Sequence, residues 1–265
     1  MSKAPVWVSI GQTADLICVC CLMEIHIHIY ESDQLVAEQS AAWLHAWVAQ
    51  QDDDRPLHLA LSGGSTPKRL FQHLAKNYAQ AVPWERLHLW WGDERCVPPD
   101  DSESNYRMTH QFLISQVEIP QANIHRIHGE SVPEEEAKRY AQEIREHVPE
   151  GNGLPRFDLV MLGMGDDGHT ASIFPNQIYL LEDEALTAVA THPVSGQQRI
   201  TFTGQLLSHA AYVAFLVTGP KKAGRAAQIL GGRPGARQLP AYHIQPAEGV
   251  LHWFLDRPAA SDLRG

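Results

Sequence analysis

The chain has 265 residues, of which 44% are hydrophobic and 20% charged, a composition typical of a globular protein with one large domain or two small ones. Its formal net charge is −10 and no basic stripe or patch occurs, which argues against a nucleic-acid partner. The apolar run 16–23 is too short to cross a membrane, and neither a secretory leader nor a disulfide framework is recognisable. We therefore expect a cytoplasmic protein with no membrane partner.

The segment MEIHIHIYES alternates isoleucine with histidine and predicts a half-buried strand that starts directly after Met23. We interpret 1–22 as an extension outside the core, and 23–265 as a single domain because no Pro/Gly/Ser-rich linker divides it. His26 and His28 share one face of the strand and could ligate a metal. A solvated polar face is the simpler interpretation, and no metal is predicted.

Strand and helix patterns alternate along the rest of the chain, which predicts an α/β fold with a largely parallel sheet. Strands are predicted within PLHLALSGG, RLHLWWGDE, FDLVMLGMGDDGH, RITFT, AYVAFLVTG and GVLHWFLD. Helices are predicted within STPKRLFQHLAKNYA, 108–117, SVPEEEAKRYAQEIREHV and KKAGRAAQIL. Ser65 or Thr66 is expected to cap the first of these helices, and a capping box from Ser131 to Glu134 the third.

Four predicted strands end in polar loops: SGGSTP, GDERCVP, GMGDDGHTAS and TGPKK. In open α/β sheets, ligands bind beyond the carboxyl ends of the strands. The sequence therefore predicts one site built from these four loops.

The loop GMGDDGHTAS fits the G-x-G-x-x-G spacing of dinucleotide-binding loops. Asp166 and Asp167 would repel a pyrophosphate, however, and Pro175 follows too soon for the helix that such a site needs. We therefore favour the interpretation of this segment as a catalytic loop over a dinucleotide-binding loop, because the imidazole of His169 suits proton transfer near neutral pH. We predict His169 as a general base oriented by Asp167, and we predict no cofactor.

The turn LSGGSTPK lacks the spacing of a Walker loop but suits a phosphate monoester, although a tight turn with a helix cap explains it equally well. The candidate residues on this turn are Ser62, Gly63, Gly64, Ser65 and Thr66. Arg95 and Lys222 would supply positive charge, with Arg199 as a third candidate and Asp93 as a further substrate-binding residue. A serine hydrolase is disfavoured because no G-x-S-x-G motif occurs.

Taken in order, LSGGSTP, WWGDERCVPPDDSESNYR, LGMGDDGHTASIFP, RITFT and FLVTGPKKA resemble the motifs of 6-phosphogluconolactonases, from about Met23 to Asp256. The resemblance implies a Rossmann-like open sheet with helices on both faces. It also implies hydrolysis of 6-phospho-D-glucono-1,5-lactone in the oxidative pentose phosphate pathway, with a small sugar phosphate as partner and no obligatory cofactor. His169 resembles the family's general base, assisted by Asp167, while Arg95 and Lys222 resemble its phosphate-binding cations.

Two alternative functions follow from the same motifs. The related glucosamine-6-phosphate deaminases place a catalytic glutamate five residues after the histidine, where this chain has Phe174. A non-catalytic sugar-phosphate-binding regulator would keep the cations and lose His169 or Asp167, yet both are present.

Overall fold

The computed structural model describes residues 24–51 and 55–263 in full, and the backbone alone of 7–10 and 15–19. The strands are β1 (Trp7–Ile10), β2 (Asp15–Val19), β3 (Glu24–Tyr30), β4 (Leu57–Leu61), β5 (Leu87–Trp91), β6 (Asp93–Arg95), β7 (Ile124–His125), β8 (Glu150–Gly151), β9 (Leu154–Pro155), β10 (Leu159–Leu162), β11 (Thr187–Thr191), β12 (Gln198–Phe202), β13 (Tyr212–Val217) and β14 (Val250–Asp256). The helices are α1 (Asp33–Gln50), α2 (Ser65–Asn77), α3 (Asn105–Phe112), α4 (Pro133–His147), α5 (Gly204–Ser208), α6 (Ala223–Leu230) and α7 (Pro240–His243).

The main sheet has the order β1-β2-β3-β14-β13-β10-β4-β5-β7 within the described residues. Its strands from β3 to β7 pair in parallel, whereas β1 and β2 pair antiparallel beside β3. Strands β4 and β10 are buried at every residue, as expected when both faces of a parallel sheet are covered. This arrangement confirms the predicted α/β fold and the Rossmann-like sheet that the resemblance implies.

A smaller antiparallel sheet has the order β11-β12-β6. Strand β6 starts two residues after β5 ends, with Gly92 between them. The Gly92 N–H donates to the Leu61 carbonyl of the main sheet, and the Gly92 carbonyl accepts the N–H of Phe202 in β12. The predicted strand RITFT is β12 and therefore belongs to this small sheet. Its pairing with β6 sets Arg199 directly opposite Arg95.

The two predicted helix caps are wrong. Helix α2 follows Gly64, whose φ is 108°, without a side-chain cap, and the Thr66 hydroxyl pairs with Thr218 at 2.7 Å instead. Helix α4 follows Val132, also without a side-chain cap, so Ser131 lies one residue too early for a capping box. In both helices a proline in the first turn favours initiation where no side chain caps it.

The two histidines of β3 are part of an aromatic stack. The His26 and His28 rings lie 4.7 and 5.4 Å from the ring of His252 on the adjacent strand β14. Among the described residues no group of histidine, cysteine, aspartate and glutamate is arranged to hold a metal ion. No described helix is both long and apolar enough to span a bilayer.

A second group of histidines predicts acid sensitivity. Burial, together with the nearby His88 and His125, lowers the pKa of His58 to about 3. In the unfolded chain a histidine takes up a proton below about pH 6.5, so the unfolded state binds more protons and the free energy of unfolding falls as the pH falls from there towards 3. Between pH 7 and pH 5, His58 alone should lower the free energy of unfolding by about 2 kcal/mol.

Urea unfolding at the two pH values tests this prediction. His58→Gln should remove about 2 kcal/mol of the acid-induced loss, while the exposed His110→Gln should leave the loss unchanged. Equal losses in wild type and His58→Gln would contradict it.

The extension 1–22 carries a further prediction, although the side chains of 1–23 lie outside the described residues. Strand β3 pairs with β14 through all seven of its residues, so its place in the sheet does not depend on β2. We expect a chain that starts at Met23 to fold and keep its activity. Thermal melting and solubility check this, and a shortened chain that precipitates or melts many degrees lower would show that the extension belongs to the core.

Candidate active site

A cavity of about 230 Å³ lies where β4, β6, β10 and the loop after β13 meet. It is lined by Ser62, Gly63, Gly64, Asp93, Arg95, Asn105, Gly163, Met164, Gly165, His169, Ala171, Arg199 and Lys222. The four loops predicted to form one site therefore converge, since parallel strands deliver their carboxyl ends to the same edge. Eight of these lining residues are among the predicted ones.

His169 lines this cavity and forms a hydrogen-bonded pair with Asp167, which lies behind it and is not part of the lining. The Asp167 Oδ1 atom lies 2.6 Å from His169 Nδ1 and also accepts the His169 backbone N–H at 3.1 Å. Partial burial raises the pKa of Asp167, but the bonds and charge of His169 outweigh it and lower that pKa to about 2. The aspartate therefore stays ionised, and it can hold the imidazole in one orientation.

The loop that carries this pair depends on glycine. Gly165 donates its N–H to the His169 carbonyl at 2.8 Å, and Gly168 adopts a φ of 86°, a conformation that favours glycine. A Cβ atom on Gly165 would lie 2.1 Å from His169 Nδ1 and 2.7 Å from Asp167 Oδ1. The absence of a side chain at this position is what allows the imidazole to pack against the loop.

Phe174 supports the imidazole from the protein interior. Its ring is fully buried and its centroid lies 4.8 Å from that of His169. The Arg199 guanidinium lies 5.6 Å from the same ring, within the range of a cation–π contact. Phe174 therefore fixes the relative position of the histidine and one of the cations.

Three cations line the cavity. Arg95 donates to the Glu103 carbonyl at 2.5 Å, and Lys222 Nζ lies 2.5 Å from the Asp166 carboxylate. Within the described residues, the buried Nε atoms of Arg95 and Arg199 have no hydrogen-bond partner. Burial, and then the charge of Arg95, lowers the pKa of Arg199. Two neighbouring guanidinium groups with unused donors form a site suited to an anion.

The glycine-rich turn contributes only its first half. Ser62, Gly63 and Gly64 line the cavity, whereas Ser65 lines an adjoining cleft and Thr66 bonds Thr218. A Cβ atom on Gly63 would lie 1.8 Å from Asn105 Oδ1, so this glycine permits close contact with helix α3.

Two polar residues that sequence reasoning missed surround the predicted Asp93 at the cavity. Asp93 is 4% exposed and accepts the Ser172 hydroxyl at 2.7 Å, while Asn105 Nδ2 donates to the Asp93 carbonyl at 2.9 Å. Asn105 lies within the motif SESNYR, but an asparagine has no charge or spacing that marks it as a site residue.

Glu94 fixes helix α3 over the site. Its buried carboxylate accepts the backbone N–H groups of Arg95, Asn105 and Tyr106 and the Ser104 hydroxyl, at 2.7 to 2.9 Å. Burial raises its pKa, and these bonds oppose the rise. A carboxylate at the start of a helix satisfies backbone N–H groups that have no partner within the helix.

Comparison with known proteins gives a consistent picture. A family model described as glucosamine-6-phosphate isomerases/6-phosphogluconolactonase matches residues 31–253. The 6-phosphogluconolactonase of Haemophilus influenzae is 46% identical over 207 residues, which cover 78% of this chain and 87% of that protein. A crystal structure of devB protein is 44% identical with a TM-score of 0.83, covering 89% of this chain and 98% of that one. The 6-phosphogluconolactonase from Trypanosoma cruzi is 27% identical with a TM-score of 0.81, covering 90% of this chain and 97% of that one. The chain belongs, as its motifs predicted, to the family of glucosamine-6-phosphate isomerases and 6-phosphogluconolactonases.

Proposed function

We propose that the chain is a 6-phosphogluconolactonase that hydrolyses 6-phospho-D-glucono-1,5-lactone with a water activated by His169. The observation that carries this proposal is the His169–Asp167 pair at 2.6 Å beside a cavity with three cations. Asp167 engages Nδ1, which leaves Nε2 for a water in the cavity that His169 lines. Hydrolysis by an activated water needs no redox or group-transfer cofactor. As a separate proposal, we assign the reaction to the cytoplasm.

The chemistry proceeds in two proton transfers. His169 Nε2 takes a proton from water while the water oxygen bonds to the lactone carbonyl carbon. The bond between that carbon and the ring oxygen then breaks, and the imidazolium returns its proton to the departing oxygen. Asp167 stabilises the imidazolium between the two steps because its carboxylate stays ionised.

The cations hold the remote phosphate. Arg95, Arg199 and Lys222 would bind it with charge-assisted hydrogen bonds, and this binding positions the ring carbonyl beside the base.

The Gly165 N–H already bonds the His169 carbonyl, so it is not a donor to the oxyanion that develops on the lactone.

A deaminase is the alternative function, and Phe174 argues against it. A buried phenyl ring fills the position where the deaminases carry an acid, so no proton can be exchanged with a sugar ring from there. Two assays on the same preparation separate the functions: acid release from 6-phosphogluconolactone and ammonia release from glucosamine 6-phosphate. We expect only the first, and ammonia without acid would overturn the proposal.

The packing of Gly165 gives a further prediction. Gly165→Ala should displace the imidazole, because the added Cβ cannot coexist with Nδ1 at 2.1 Å. A displacement of about 1 Å costs on the order of a hundredfold in turnover. Gly224→Ala adds the same methyl group two residues after Lys222, where the nearest atom outside its own helix lies 4.0 Å from the Cβ, and it should cost far less than Gly165→Ala. Near-normal turnover of Gly165→Ala would contradict the placement of His169.

A further inference from the structure

The ion pair between Lys222 and Asp166 occupies a cation that the proposed function assigns to the substrate. Lys222 Nζ lies 2.5 Å from Asp166 Oδ1, and Lys222 is the one side-chain partner of this carboxylate within the described residues. The Asp166 side chain is 56% exposed, so it can turn without disturbing the core. A substrate phosphate and the Asp166 carboxylate therefore compete for the same ammonium group.

Asp166 lines a second cavity rather than the one that Lys222 lines. It has a volume of about 560 Å³ and is lined by Asp166 together with Lys221, Arg225 and Arg233. Arg225 donates a hydrogen bond to the Gln228 side-chain oxygen at 2.7 Å, and Arg233 donates one to the Asp262 backbone carbonyl at 2.8 Å. Both acceptors are neutral oxygens. The Lys221 ammonium has no polar partner within the described residues. This cavity therefore offers a carboxylate several positive charges.

The sequence around this cavity reinforces its positive charge. No aspartate or glutamate occurs between Glu184 and Glu248, although the whole chain carries 31 of them. The same stretch supplies Lys221 and Lys222 and both arginines of the second cavity. Asp166 reaches this region from another loop, and Asp262, whose Oδ2 lies 4.0 Å from a Cβ atom placed on the lining residue Gly224, is a second carboxylate close to the cavity.

We propose that Asp166 is an exchangeable counterion: it pairs with Lys222 in the empty site and moves to Lys221 and Arg225 when a phosphate binds Lys222. The exchange keeps Lys222 from remaining an unpaired charge, and it removes a carboxylate from the approach of a dianionic ligand. The proposal depends on the phosphate-binding role of Lys222, and it makes Asp166 a positioning residue that sets affinity for phosphorylated ligands.

Inorganic phosphate is the probe, because its binding does not require turnover. Calorimetric titration of the full chain at low salt compares wild type, Asp166→Asn, the double variant Lys221→Gln/Arg225→Gln, and the triple variant. Asp166→Asn should tighten phosphate binding about two- to fivefold, the range expected for an exposed ion pair. The double variant should weaken binding by a similar factor, because the displaced carboxylate loses its second partners.

The combination of variants separates exchange from simple attraction. If Lys221 and Arg225 act through Asp166, replacing them in the Asp166→Asn background should change phosphate affinity by less than about 1.5-fold. Equal weakening in both backgrounds would show that these cations attract phosphate directly and would overturn the proposal. An unchanged or weaker affinity in Asp166→Asn would also overturn it.

Two controls complete the experiment. Glu248→Gln neutralises an exposed carboxylate just before β14, at the amino-terminal ends of the parallel strands and therefore away from the site. This variant should leave phosphate affinity unchanged. Wild-type lactone hydrolysis is measured separately, so a chain that binds phosphate as expected but opens no lactone refutes the proposed function and leaves the exchange standing. Thermal melting of each variant confirms that it is folded.

Discussion

His169→Ala should lower the turnover number for 6-phosphogluconolactone by about 10²–10⁴, the usual contribution of a positioned general base. The variant should stay folded, because His169 lies in a loop beyond β10 and its side chain is 27% exposed. KM should change much less than kcat, since the imidazole acts on the water rather than on the phosphate. Initial rates with the uncatalysed hydrolysis subtracted check this result.

Asp167→Asn is the companion variant. It keeps a side-chain oxygen near the imidazole but removes the charge that stabilises the imidazolium. We expect a loss in kcat, and His169→Ala/Asp167→Asn should be no worse than His169→Ala alone, because the two residues act as a unit. Fully multiplicative losses would show that Asp167 acts independently of the histidine.

Removing a phosphate-binding cation should give the second large effect. Lys222→Ala or Arg95→Ala should lower kcat/KM for the phosphorylated lactone about ten- to a hundredfold, which corresponds to roughly 1.5–3 kcal/mol for a charge-assisted contact. Lys222→Ala also removes the ion-pair partner of Asp166, but the proposed exchange gives this carboxylate Lys221 and Arg225 as partners, so the loss should reflect the missing ammonium group alone.

Unphosphorylated D-glucono-1,5-lactone is the discriminating substrate. Any turnover of this compound should fall far less in either variant, and Lys138→Ala, which alters an exposed lysine on α4, should affect neither substrate. Equal losses on both lactones would show that Lys222 and Arg95 do something other than hold phosphate.

The location of the site was predictable because it follows from topology. Parallel strands place their carboxyl ends together, so the order of strands and polar loops along the chain was enough to assign the residues after β4, β5, β10 and β13 to one place. The place of His169 at the cavity was predictable for a related reason, because this histidine directly follows the loop after a buried strand, whereas its role as the base stays a prediction.

Long-range pairing and helix caps were less accessible. The juxtaposition of Arg95 and Arg199 depends on the register between β6 and β12, which are about a hundred residues apart in the chain. Helix α1 was missed because its apolar residues are spread around much of its circumference, which weakens the periodic signal. The cap of α4 was placed one residue early because S-x-x-E fits the capping-box pattern at Ser131 while the backbone enters the helix after Val132.

The packing of Asn105 against Gly63 was equally inaccessible, because it depends on where Glu94 anchors helix α3. A carboxylate in the motif GDER is as consistent with a surface loop as with a buried helix anchor. Only the four bonds to Glu94 distinguish the two.

The pH dependence of kcat/KM for 6-phosphogluconolactone, compared between wild type and His169→Ala, tests the central claim most directly. Because the pKa of Asp167 is lowered to about 2, the aspartate stays ionised and contributes no acid limb near neutral pH. Wild-type efficiency should fall as the pH drops, since a protonated imidazole cannot accept a proton from water. Titration of the substrate phosphate appears in both profiles and cancels in their ratio. We predict that the ratio of wild type to variant falls towards one in acid; a ratio near one at every pH, with the same acid limb in both, would show that His169 is not the base.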